Sequence, residues 1–275
     1  MSRLFLLGIG ALTLAPACST TRALAPLAKG QHGITASFGG PFVDYGGAPI
    51  PLPLTSVGYR YGIDGKSDVH ASVYATQAAL FGVGGFDVGV SRELVDADGA
   101  RPRVMLDTNH HLFFGDLEPG DPKGGIVYLP DVSGVLTWDL GASETPHRVY
   151  VGATTTFDVQ NKGKPWLTPY IGTELRASKV VGVQVEAAIF GATVPTRFLN
   201  PVWYGIDEHG AIVARLGLNI YLPQKGDKAD KADKADKADK ADKADKADKA
   251  ASSEPSESPA PEAPTPDAPT PAEVP

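Results

Sequence analysis

Three things are scarce in these 275 residues. There is one cysteine, Cys18, two methionines, and an aromatic fraction of 8%. A lone cysteine excludes a disulfide framework and a thiolate metal site, because both need several thiols. No basic stripe runs through the chain, and this argues against nucleic acid as a partner. The formal charge of −7 is unevenly spread: the last twenty-five residues carry five acids and no base, and the eight DKA triplets before them are balanced. About −2 is left for everything else. The longest uncharged apolar run, Leu4 to Ala17, falls short of the roughly 20 residues a transmembrane helix needs. Helical periodicity is also missing from the central region.

What is present begins with an export signal. Arg3 supplies a positive start and LFLLGIGALTLAPA an apolar core of signal-peptide length. Two readings of its end stay open. Ala15-Pro16-Ala17 is an A-x-A site for ordinary cleavage. The same position puts Cys18 at a new N-terminus, which resembles the bacterial lipobox, with Leu14 one place early. The resemblance implies a diacylglyceryl thioether on Cys18, and Ser19 after it implies sorting to the outer membrane. The segments read as a lipoprotein signal peptide (1–17), a lipidated tether (18–30), a folded domain (31–222), a charged DKA linker (223–250) and a Pro/Ala/Glu-rich disordered tail (251–275). A tail on the cell-wall side could reach peptidoglycan or another envelope component. Full-length protein and a form ending at Gln224 would then differ in recovery on purified peptidoglycan.

Residues 31–222 alternate with period two. Val181, Val183, Val185, Ala187 and Ile189 oppose Gly182, Gln184, Glu186 and Ala188. Ile212, Ala214, Leu216, Leu218 and Ile220 oppose Val213, Arg215, Gly217, Asn219 and Tyr221. About ten strands follow from such patterns: 32–40, 54–62, 67–77, 84–94, 102–113, 127–140, 147–158, 165–176, 179–190 and 211–222. Pro169 makes the eighth the weakest, and Ala78 to Val83 is ambiguous. The expected fold is all-β, an antiparallel up-and-down barrel. Long connections (Pro41–Pro53, Phe114–Ile126, Gly191–Gly210) share one end, as in outer-membrane barrels.

Alternation does not say which face is outside. A membrane barrel turns its apolar face outward and a soluble barrel or sandwich turns it inward. Strands of about 9–11 residues suit a membrane crossing, whereas clear aromatic girdles are not evident. On the membrane reading Arg60, Asp87, Glu174, Arg176, Glu186 and Arg215 form a lumen charge network. The last strand, Arg215-Leu-Gly217-Leu-Asn-Ile220-Tyr-Leu222, resembles the β-signal of outer-membrane barrels, with Leu222 where an aromatic is usual. This resemblance to small outer-membrane barrels spans about residues 31–222 and implies outer-membrane lipid as the surrounding partner.

Chemistry is sparse. No HExxH, CxxC or GxSxG occurs, and no cofactor or metal site is expected. His110 and His111 are neighbours on a strand and point to opposite faces. Arg197, Phe198, Trp203 and Tyr204 sit in the last long connection, as surface contacts or folded down into the barrel. The leading expectation is a non-enzymatic outer-membrane barrel lipoprotein with a structural or surface-interaction role. The alternatives are a soluble lipid-anchored β domain binding a small ligand or envelope partner, and a narrow pore.

Overall fold

The computed structural model describes residues 21–45, 48–115, 125–141, 145–159, 165–195 and 203–223. Alternating sequence becomes alternating burial along a sheet of eleven strands, in sequence order: β1 (His32–Tyr45), β2 (Ala48–Pro51), β3 (Leu54–Gly62), β4 (Ser67–Tyr74), β5 (Val83–Val95), β6 (Arg103–Gly115), β7 (Gly125–Leu140), β8 (His147–Thr156), β9 (Trp166–Arg176), β10 (Val181–Pro195) and β11 (His209–Tyr221). Every neighbouring pair is antiparallel. β1 pairs with β3 on one side and with β11 on the other, from Gly33↔Tyr221 to Pro41↔Val213. The sheet therefore closes into a ten-stranded barrel, which removes its open edges. β2 is not a stave. It extends the β1 hairpin beyond the barrel, pairing Phe42–Tyr45 with Pro51–Ala48.

The expected strands are present, with shifts that have local causes. β4 stops at Tyr74, and Ala75–Phe81 forms a short helix, α1, where a strand end and an ambiguous run were expected. Two helical turns are too few to show a 3.6-residue period. Gly82 ends α1 in the left-handed region (φ 66°), its N–H donating to Gln77 O. Pro169 lies within β9, where the β9–β10 register has already ended at Tyr170↔Ala188. Its missing N–H thus falls where that ladder has no partner to serve. β10 runs on to Pro195, so 191–195, expected in a connection, belongs to a strand.

Connections 63–66, 96–102, 141–146 and 177–180 lie at the end where β1 begins and β11 finishes, the terminal end. The strand ends Tyr45 and Leu54, Tyr74 and Val83, Gly115 and Gly125, Thr156 and Trp166, and Pro195 and His209 mark the other, the loop end. The terminal turns are self-bonded. Asp64 Oδ1 accepts from the backbone N–H groups of Lys66 (2.9 Å) and Ser67 (2.6 Å), and these bonds, Lys66 foremost, hold its carboxyl below the ordinary aspartate range. Ser178 Oγ accepts from Val180 N–H and Val181 N–H.

The barrel is inside out relative to a soluble protein. Ile126 is 64% exposed and Ile171 62%, and Phe38, Val73, Leu136, Val185 and Leu216 also face outward. Asp68, Asp87, Ser91, Ser133 and Glu174 are each fully buried in the lumen. Aromatic rings fill part of that lumen by lying over glycines of the next strand. Tyr150 pairs with Gly172 and Tyr170 with Gly152, and a Cβ at either glycine would overlap the facing ring.

Candidate functional site: the lumen and its N-terminal plug

The lumen is filled in three layers. At the loop end an apolar cap joins Val43, Leu54, Phe113, Val127, Phe190 and Trp203. Trp203 bridges to Val43 through the backbone and packs on Phe190 at 5.5 Å between ring centroids. Trp166 meets Phe190 edge-on at 6.1 Å. Deep apolar contact and ring packing of this kind exclude water from the mouth.

Below the cap and towards the terminal end, carboxylates are paired with guanidiniums. An alternating chain crosses β5 to β9: Glu93 with Arg103 (2.6 Å), Arg103 with Asp139 (3.3 Å), Asp139 with Arg148 (2.9 Å), and Arg148 with Glu174 (2.8 Å). Glu174 also accepts from Asn219 Nδ2 (3.1 Å) and Tyr221 Oη (2.7 Å), so the chain reaches the closing strand. Glu186 sits between Arg215 (2.9 Å) and Arg22 (3.1 Å). Arg60 pairs with Asp68. Each carboxylate of these networks thus has a guanidinium partner, which offsets the cost of burying charge in a low-dielectric interior.

In the middle of β5 to β7, Asp87 and Asp131 are held by other groups. Asp87 accepts from Ser72 Oγ and from Tyr74 Oη (2.7 Å). His111 lies between Tyr74 Oη (2.5 Å at Nδ1) and Asp131 Oδ2 (2.7 Å at Nε2), and Asn109 donates to Asp131 Oδ1 (3.1 Å). Tyr74 has one proton. When it serves Asp87, its oxygen accepts from His111 Nδ1–H, and the ring links Tyr74 to Asp131. His70 Nε2 stands 3.7 Å from Asp107.

The third layer is the chain's own N-terminal segment. Residues 18–30 were expected to be a tether outside the folded domain; instead Thr21, Arg22, Ala23, Leu24 and Leu27 are buried within the lumen. The arginine is drawn in by Glu186, and the small neighbours fit the narrow bore. Arg22 Nη1 donates to Thr154 Oγ1 (3.2 Å), and its guanidinium lies 4.0 Å from the Tyr170 ring centroid. Thr21 Oγ1 donates to Asn219 Oδ1 (2.7 Å). Only about 10 Å³ of cavity remains where Thr21 and Ala23 face Thr35, Arg60, His70 and Asp107, roughly one water probe. The segment leaves the bore at Gly30, whose N–H donates to Gly62 O (2.8 Å).

Of the residues singled out from the sequence, Arg60, Asp87, Glu174, Glu186 and Arg215 lie buried in the lumen. They fall into separate networks: Asp87 contacts no arginine in the bonds above. Arg176 is half-buried at the terminal end, donating to Lys179 O (3.0 Å) and stacking on Tyr221 at 4.0 Å. Trp203 is not a surface contact. It is buried in the cap, and Tyr204 is half-buried with its N–H donating to Phe42 O (3.0 Å). Cys18, Arg197, Phe198 and the tail lie outside the described residues. His110 faces outward, bonded to Tyr128 Oη (2.6 Å), while His111 faces in. Asp68, Asp131 and Arg148 escaped notice, although each shares the inward parity of its strand. Arg22 carried no signal, since its segment has no period.

Outward aromatics gather near the two ends. His32, Tyr59 and Tyr61 cluster at the terminal end, and Phe86 and Phe114 meet towards the loop end. Among the described residues no group of three or more His, Cys, Asp or Glu side chains is arranged to hold a metal ion.

No protein-family model matches the sequence, and no characterised protein matches it in sequence. Among solved structures, the chain is similar to the translocator domain of the autotransporter NalP from Neisseria meningitidis (9% identity, TM-score 0.39, 72% of this chain and 90% of that one). It is also similar to Ail, the attachment invasion locus protein of Yersinia pestis, in complex with the heparin analogue sucrose octasulfate (10%, TM-score 0.25, 70% and 99%). A third is the outer membrane protein OprG from Pseudomonas aeruginosa (11%, TM-score 0.25, 72% and 99%). At these scores the likenesses carry no functional information.

Proposed function

We propose that this chain is a non-enzymatic outer-membrane β-barrel protein with a filled lumen and a structural or surface-interaction role. One observation carries the reading: the closed barrel turns an apolar surface outward and buries its carboxylates. In water such a surface far exceeds the few hundred Å² of contiguous apolar area a soluble monomer tolerates. In a bilayer it is the required arrangement, with every strand paired and no edge in lipid. The cap and the plug argue against an open pore. The hairpin of β1 and β2, with all four β2 residues exposed, and the long connections at the same end support surface interaction there.

Heat-modifiable migration of detergent-extracted protein tests the barrel. Folded protein should run at a different mobility from boiled protein and should stay in the membrane after carbonate extraction. Release by carbonate, together with solubility of Cys18→Ser without detergent, would defeat the reading.

Lipidation of Cys18 is the finer part of the proposal. Thr21 is bonded to Asn219, two residues from the end of β11, and three residues span at most about 10 Å. The terminal end is therefore the nearer exit from the bore, which supports reading the acyl chains in the leaflet on that side. Labelled palmitate should enter the wild type and not Cys18→Ser; equal labelling of both would remove this part alone.

A further inference from the structure

We propose that the lumen is a peptide-binding site occupied in cis by residues 21–28, that this segment exchanges without unfolding the barrel, and that the site takes short peptides bearing an arginine among small residues. Four contacts read peptide backbone through side-chain arms of the wall. Gln184 accepts from Arg22 N–H (3.1 Å at Oε1) and donates from Nε2 to Arg22 O (2.9 Å), a side-chain amide doing what a neighbouring strand would do. Asp68 Oδ1 accepts from Leu27 N–H (2.9 Å), and Arg60 Nη2 donates to Ala25 O (3.2 Å). Backbone contacts of this kind do not depend on the side chains of the bound segment, which bends at Ala25. Selectivity comes from one side chain: Arg22 reaches Glu186, Thr154 and the Tyr170 face together.

Two features let the segment leave. No barrel strand pairs with it, since β1 begins at His32 and takes β3 and β11 as partners. Its departure breaks no ladder. Nor does it strand a charge in the wall, because Glu186 keeps Arg215 and Asp68 keeps Arg60. The pivot is at 28–31, where Gln31 N–H donates to Ala28 O (2.9 Å) and Gly30 takes φ 77° with open space around its Cα. The segment is held by side-chain bonds to the wall and by no ladder, and segments outside the ladder open below the global unfolding free energy.

The full-length chain carrying Cys18→Ser and Ala23→Cys has one thiol, on the buried face of the segment. Its modification by a maleimide in detergent is compared with the rate at which the barrel unfolds, read from heat-modifiable migration. Modification is expected to be at least tenfold faster than unfolding. Adding the free peptide STTRALAPLAKG in excess should speed it severalfold, and Glu186→Gln should speed it without peptide. The peptide with alanine in place of its arginine should have no effect. Trypsin cleavage after Arg22 of the unsubstituted chain reads the same opening if the thiol variant does not fold. Modification or cleavage at the unfolding rate under every condition would overturn exchange, and equal action of the two peptides would overturn arginine selectivity.

Discussion

The wall made by β8 to β11 and the middle of the wall made by β4 to β7 bury carboxylates in the same lumen by different means. Glu174 and Glu186 are held by guanidiniums, charges that no ordinary pH removes. Asp87 and Asp131 are held by hydroxyls, an amide and an imidazole. The first wall has a fixed charge balance. The second is a chain of hydrogen bonds in which Tyr74 and His111 link two carboxylates. The plug inserts its arginine against the first wall and its small residues against the second, where His70 and Asp107 approach Ala23. Bulk and charge are thus matched to each side of the bore.

The two walls should respond differently to substitution. Glu186→Ala leaves Arg22 and Arg215 facing each other, and is expected to cost about 3–5 kcal/mol, the loss typical when one member of a buried pair is removed. Denaturant midpoints in detergent would measure it; a loss within experimental error would mean that the pairs are wetter than their burial implies. His111→Phe removes two hydrogen bonds and leaves Asp131 with Asn109 alone, an expected loss of about 1–3 kcal/mol. If His111→Phe costs more than Glu186→Ala, the ranking of the two walls is wrong.

Smaller effects belong outside the lumen. Asp64→Ala at the terminal turn should lower stability slightly near neutral pH. The Asp64 carboxyl lies below its unfolded value, so its contribution is present above about pH 3.9 and is lost as pH falls through the folded value. The difference between Asp64→Ala and the parent should therefore vanish in strong acid. A difference that persists there would assign the turn to something other than the charged carboxylate.

The strands and their pairing order were legible because a period of two survives every local irregularity. Alternation alone did not give the sense of the faces, and strand length with the shared end of the long connections pointed to the apolar face outside. Val183 and Glu186 lie on opposite sides whichever side is wet, and alternation is symmetric under that exchange. Paired ends of the strands broke the tie: Glu186 is inside because Arg215 of β11 and Arg22 are there to meet it. The lumen residues were partly legible by parity, which also points to Asp68 and Arg148. The plug was illegible. STTRALAPLAKG has no strand or helix period, and its burial comes from a vacancy that only the closed barrel creates. Trp203 was ambiguous for the same reason, since an aromatic in a loop is apolar enough to cap a bore and exposed enough to bind a partner.

The central claim is that the apolar face of this barrel meets lipid. Single cysteines along β11, made in Cys18→Ser and labelled with a fluorophore, test it in vesicles containing brominated lipid. Labels at Ile212, Leu216 and Leu218 should be quenched, whereas labels at Val213, Gly217 and Asn219 should be spared, giving quenching with a period of two. Quenching at the second set, or at neither, would contradict the account.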